Sequence, residues 1–375
     1  MRDGEDAMIR SALLWASVSA LSDPYNIPCP AALWPDMCLE SAPLDQNGGA
    51  DFRSAVEYAH HLLQVCIEIE HSTIPLYLTA AYSMLDEGSW AHGVVRGIAI
   101  EEMLHLTDVA NVQNAIGGAP LIDSPTFVPE FPARIPLINI TSNIAPFSPQ
   151  QTKTFEMIER EAHGHQSIFS TYTFLVRLLN HLCDRFGESA VFSGDPARQV
   201  AVMSHGGERS RVVRRLADAV AALEGVADQG SGCPTEGRTG LNVSAGPLGG
   251  GLAHFARFTE ILEGREYAPH DTVATGPTGR LRPTEWARVR NFAPNPKVDD
   301  FAQGSRAHTL SLAFAQAYTR LLAALHHVFN GAPSAFSATV HQMSALGVMA
   351  TELMRTSDPR NSSLGIGPAW QYIKP

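Results

Sequence analysis

Apolar residues recur along most of this chain in alternating steps of three and four, the spacing of a helix face. The first such seam runs Val56, His60, Leu63, Ile67, Glu70, Ile74, Tyr77, Ala81. The second runs Val95, Ile98, Glu102, His105, Val109, Val112, Ile116. A third runs Phe155, Ile158, Ala162, His165, Phe169, Tyr172, Val176, Leu179. Two more start at Leu310 and Phe336 and end near Val328 and Met354. No stretch alternates with the period of two that a half-buried strand requires. The pattern predicts an all-α chain with core helices near 52–86, 89–117, 151–187 and 249–264. Helices near 302–330 and 333–357 complete it.

The breaks are as informative as the seams. Gly117-Gly118 and Pro120 end the second helix, and the Pro125–Pro149 stretch holds six prolines. That stretch reads as a long crossover rather than a tight turn. Residues 1–51 form an N-terminal extension, 52–375 the main domain, and about 188–248 an insertion with one helix expected at Arg209–Glu224. Residues Asp358–Pro375 read as a tail. Helices paired across a long crossover suit a ferritin-like bundle better than a simple up-and-down one.

Two seams carry residues that a bundle core would not choose for stability. Glu70 replaces an apolar residue in the first, and Glu102 with His105 replaces two in the second. Burying a carboxylate costs several kcal/mol unless a partner offsets it. A coordinated cation is such a partner. Glu102-x-x-His105 places both groups on one helix face. Di-iron bundles combine single-Glu helices with Glu-x-x-His helices. Taken alone a Glu-x-x-His is common, and Glu101 next door would make this one an acidic turn. Ligand types on two adjacent seams shift the balance towards a metal.

Composition narrows the rest. The net charge of −11 and the lack of a Lys/Arg block argue against nucleic-acid or anionic-membrane binding. Five cysteines, an odd number without a CxxC pair, fit a reducing compartment, with Cys66 and Cys183 as small core residues. The apolar run Ser11–Leu21 is too short to span a bilayer, and a soluble cytoplasmic protein is expected.

Three stretches taken together resemble one family: Glu68-Ile-Glu70-His71-Ser-Thr-Ile-Pro75-Leu-Tyr77, Glu101-Glu102-Met-Leu-His105-Leu, and Asn111-Val-Gln-Asn114-Ala-Ile-Gly-Gly118-Ala-Pro120. This is the ferritin-like family of the iminophenyl-pyruvate dimer synthases. It is related to the C-terminal part of the imine-coupling enzymes of violacein and rebeccamycin pathways. His254-Phe-Ala-Arg257-Phe-Thr-Glu260 and Gly367-Pro-Ala-Trp370 extend the resemblance over roughly residues 52 to 370. The resemblance implies His254 as a fourth ligand beside Glu70, Glu102 and His105. It also implies an oxidoreductase of specialised metabolism acting on a small amino-acid-derived or aromatic molecule.

Two positions depart from the family pattern. Ser170 stands where a third-helix Glu is usual, and Gly251 stands three residues before His254 where another Glu is usual. Two carboxylates and two imidazoles suit a single divalent ion, with Fe expected first and Mn, Cu or Zn as alternatives. O₂ or peroxide would take the open positions. Tyr77 and Tyr172, on seams beside the site, are candidate catalytic groups lining a substrate pocket, or else plain aromatic core. His165 is a candidate replacement ligand. Glu260 is expected to pair with Arg257 or Arg265, Glu68 and His71 to lie around the site or at the surface, and Pro75 to raise a local bulge. The alternative to an enzyme is a non-catalytic metal-binding or scaffold protein with a degenerate di-iron site.

Overall fold

The computed structural model describes residues 52–135, 140–160, 168–202, 209–231 and 251–374. Chain contacts divide the protein into Met1–Glu57 and Tyr58–Pro375. Of the first unit, only residues 52–57 are described. The expectations for the N-terminal extension, Ser11–Leu21 and His165 therefore lie outside the described residues.

The all-α reading holds. The helices are α1 (Phe52–Ser83), α2 (Trp90–Ala115), α3 (Pro149–Glu159), α4 (Ile168–Phe186), α5 (Glu188–Val191), α6 (Leu216–Ser231), α7 (His254–Glu263), α8 (Arg306–Phe329) and α9 (Phe336–Arg355). Strands are confined, among the described residues, to two small ribbons. β1 (Ala133–Arg134) pairs with β2 (Thr141–Ser142), and β3 (Ser357–Asp358) with β4 (Asn361–Gly365), both antiparallel. No helix among the described residues is long and apolar enough to cross a membrane.

Local chemistry sets the helix ends. Ser89 caps α2 by accepting from the His92 N–H, and Ser148 caps α3 ahead of Pro149 at its first position. Gly117, at φ +83°, turns the chain out of α2 in a conformation other side chains resist. Pro75 raises no break, because α1 stays helical from 52 to 83. The neighbouring Ser72 and Thr73 hydroxyls donate to the Ile69 and Glu70 carbonyls.

The predicted third helix, 151–187, is two helices. Arg160 adopts extended backbone (ψ 134°) and ends α3 directly after Glu159. The predicted fourth, 249–264, is the single helix α7; α3 packs against α7, and α4 packs against α6. The helix expected at Arg209–Glu224 starts later, at Leu216, and runs to Ser231. The reason is that residues 199–202 and 209–213 are strapped along α2. Asn111 Nδ2 donates to the carbonyls of Val200 and Arg211, and its Oδ1 accepts from the Val200 N–H, each at 2.9 Å. Asp108 accepts from the Arg211 N–H at 2.6 Å and from its guanidinium at 3.0 Å. Backbone groups so engaged cannot close a helical turn. Asn111 is fully buried, so Asn111→Ala should lower unfolding free energy by about 2–4 kcal/mol, for three lost partners, in a urea titration.

The supposed tail is also built in. Trp370 is 4% exposed and packs edge-on against Phe314 and Tyr318, with its indole N–H donating to Thr79 at 2.8 Å. Burial of a tryptophan explains why the last residues stay on the α8 surface. Cys66 and Cys183 are buried and free, as small core residues should be.

Candidate metal centre

Four helices deliver acidic and imidazole groups to one buried place. α1 brings Glu70, α2 brings Glu102 and His105, α3 ends on Glu159, and α7 begins on His254. All five are at most 3% exposed. Two donor sets result, Glu70–Glu102–His105 and Glu102–Glu159–His254, each with ligand atoms within 4.8 Å of one another. Glu102 belongs to both. The four residues expected from sequence are therefore brought together, and Glu159 joins them.

The geometry repeats from one end of the site to the other. His105 Nδ1 faces Glu70 Oε2 at 3.3 Å and Glu102 Oε2 at 3.5 Å. His254 Nδ1 faces Glu102 Oε1 at 2.8 Å and Glu159 Oε2 at 3.5 Å. The two imidazoles are near-parallel, with centroids 5.5 Å apart. Tyr172 donates to Glu70 Oε1 at 2.5 Å, and Tyr77 donates to Glu159 Oε1. Each phenol thus occupies one oxygen of a terminal carboxylate and leaves the other facing a histidine. Both tyrosines are fully buried aromatic core, and their hydroxyls reach the terminal carboxylates.

The far nitrogens of the imidazoles are held too. His254 Nε2 lies 2.8 Å from Glu101 Oε2, which also accepts from Arg257 at 2.6 Å. His105 Nε2 lies 2.5 Å from Gln229 Oε1 of α6. Ser231, at the end of α6, donates to the Glu159 carbonyl at 3.0 Å. Glu101, which could have been a mere acidic turn, is thus the partner of His254. Arg257 goes to Glu101 rather than to Glu260, and Glu260 accepts from the Tyr267 N–H at 2.6 Å. His71 is engaged elsewhere: its ring lies tilted against Phe127, and its Nε2 meets the Tyr318 hydroxyl at 2.6 Å. Glu68 takes a hydrogen bond from Gln64.

Burial and mutual repulsion set the electrostatics. Burial pushes the Glu70 carboxyl up to about 8, and the Glu102 charge adds to the shift. Glu159 is raised by burial and then by Glu102. For Glu102, burial acts upward too, but His105 and then His254 outweigh it and the carboxyl falls well below its usual range. His105 and His254 are lowered by burial yet end well above the ordinary imidazole value, because Glu102 and Glu70 surround the first and Glu101, Glu102 and Glu159 the second. Burial, with Glu159 and Glu70 beside them, holds Tyr77 and Tyr172 protonated.

These residues fit a metal. Glu102 Oε1 and His254 Nδ1 are buried and 2.8 Å apart, yet they lack the alignment of a hydrogen bond and neither has another such partner. Orphaned buried polar atoms are rare, and a shared cation is a standard reason for them.

The premise of two lost carboxylates changes here. Glu159 was missed because it lies one residue beside the seam position Ile158, although it is one helical turn after Phe155. Gly251 lies outside α7, since His254 is the first helical residue. A Glu at 251 would not share a helix face with His254, so that departure removes nothing this site could use. Gln229 was missed because its helix was expected to end at 224.

A family model described as Ferritin-like matches residues 63–263, more than half of the chain. Among solved structures, the chain is similar to a ferritin-like protein from Caulobacter vibrioides, with a TM-score of 0.54 and 20% identity. That match covers 83% of this chain and 97% of the other, and it bears on the fold. Among curated proteins none matches.

Proposed function

We propose that this chain, which belongs to the ferritin-like family, is a non-haem metal oxidoreductase whose buried cluster holds two divalent ions, iron first. The observation that carries this reading is the sharing of Glu102 between two three-residue donor sets. Three carboxylates offset most of the charge of two divalent ions, whereas a single ion would leave one carboxylate buried in excess. The third carboxylate, Glu159, is thus the reason to replace the single ion expected from sequence with a pair.

Within this reading each side chain has a part. Glu102 presents Oε2 to the His105 side and Oε1 to the His254 side. Glu70 and Glu159 close the two ends. The Tyr172 and Tyr77 phenols fix the rotamers of those carboxylates and remain protonated donors beside the reacting region. The apolar seams exclude water. An iron pair held there supplies redox chemistry with O₂ or peroxide. A small amino-acid-derived or aromatic substrate follows from the motif resemblance given above.

Purified metal-free chain, loaded anaerobically with Fe(II) and then exposed to air, should consume O₂ and change its visible absorption. A protein that loads iron but leaves O₂ untouched would instead be the non-catalytic metal binder.

A further inference from the structure

The two ends of the site share one plan. Each has a histidine Nδ1 facing inward, a terminal glutamate tied to a tyrosine, and one oxygen of Glu102. They differ in what receives the far imidazole N–H. Behind His254 stands a carboxylate, Glu101, at 2.8 Å, and behind His105 stands an amide, Gln229, at 2.5 Å.

We infer that the two ends bind metal unequally: Glu101 is a positioning residue that makes the His254–Glu159 end the tight position, and Gln229 leaves the His105–Glu70 end the weak one. This rests on the two-ion reading. An anionic acceptor behind an imidazole draws the N–H proton outward and raises electron density on the metal-facing nitrogen. A neutral amide does so less, and such partners change metal affinity by about 10–100-fold. Glu101 also adds a negative charge beside the tight end.

Two features oppose this, and each has a counterweight. Arg257 shares Glu101 Oε2, which tempers its basicity. Its side chain is 22% exposed, so solvent screens part of its charge. The N-terminus of α7, where His254 sits, disfavours a cation, but the C-terminus of α3, where Glu159 sits, favours one at the same end. These helix terms oppose each other and leave the acceptor chemistry to decide.

The test is anaerobic Co(II) titration of the metal-free full chain, followed by visible absorption and by chelator competition. The wild type should fill in two steps, the first about 10-fold or more tighter than the second. Glu101→Gln should weaken the first step by about 10–100-fold and bring the two together. Gln229→Glu should tighten the second step and leave the first. His254→Gln should remove the tight step, which assigns it. General damage to the fold would weaken both steps at once and could not tighten one. Two ions filling with equal affinity, or a first step indifferent to Glu101→Gln, would overturn the inference and leave the two-ion reading standing. Saturation at one ion per chain would overturn both.

Discussion

Glu102→Ala should empty both ends of the site in one substitution, dropping bound iron from about two ions per chain to about none. Glu70→Ala and Glu159→Ala should each remove about one ion and leave the other. The difference follows from the carboxylate geometry. Glu102 offers its two oxygens to different histidines, whereas Glu70 and Glu159 each give one oxygen to a histidine and the other to a tyrosine. Loss of the shared group also leaves His105 and His254 with no common anion between them, so neither half-site is complete. Elemental analysis after anaerobic loading and desalting would read this directly. If Glu102→Ala kept one full ion, the carboxylate would not bridge, and the site would be two independent halves. Turnover should follow metal content in each variant.

The seams exposed half of this site because chemistry stood where oil was expected. Glu70, Glu102 and His105 interrupt otherwise apolar positions on long, continuous helices, and long helices are where periodicity is most readable. His254 is different. It is the first residue of a ten-residue helix, too short for a seam to single it out, and only the motif around it marked it. Glu159 failed for a related reason. The third bundle position is broken at Arg160, so the face that continues through Ile158 and Ala162 in the sequence stops in the structure one residue after Glu159. A pattern that assumes one helix from 151 to 187 assigns the wrong residues to the inside just where it ends. Gln229 and the contacts of Trp370 were hidden by tertiary context: an amide in an insertion carries no local sign of what it will touch, and the motif that marked the indole does not name its partners. The helical class, by contrast, needed only the spacing of apolar residues, which no loop or insertion could disguise.

The thermal gain on adding metal should grow with pH, from little near about pH 5.5 to on the order of 10 °C near about pH 8. The sign follows from the groups at the site. In the metal-free protein Glu70 titrates near about 8 instead of 4.5, raised by burial and then by Glu102, and Glu159 is raised in the same direction. A carboxyl raised on folding favours the protonated fold, so stability drops as pH climbs from the unfolded value through the folded one. His105 and His254 are raised above 6.5 by the carboxylates around them. Their contribution is complete below 6.5 and fades as pH rises through their folded values. Glu101 and Glu102 are lowered, so their contribution is present above 4.5 and is lost only on the acid side. Across the window from about 5.5 to 8 Glu70, Glu159, His105 and His254 therefore all weaken the metal-free fold as pH rises. Metal must displace the same protons from His Nδ1 and the carboxyls, so its affinity rises over the same window. With free metal at 100 times each dissociation constant, two filled positions add about 5 kcal/mol. Melting curves of metal-free and metal-loaded protein at the two pH values would check it. An equal gain at both, or a larger one in acid, would mean that the histidines and terminal carboxylates do not compete with protons for the ion, and the buried cluster would then not be where the metal binds.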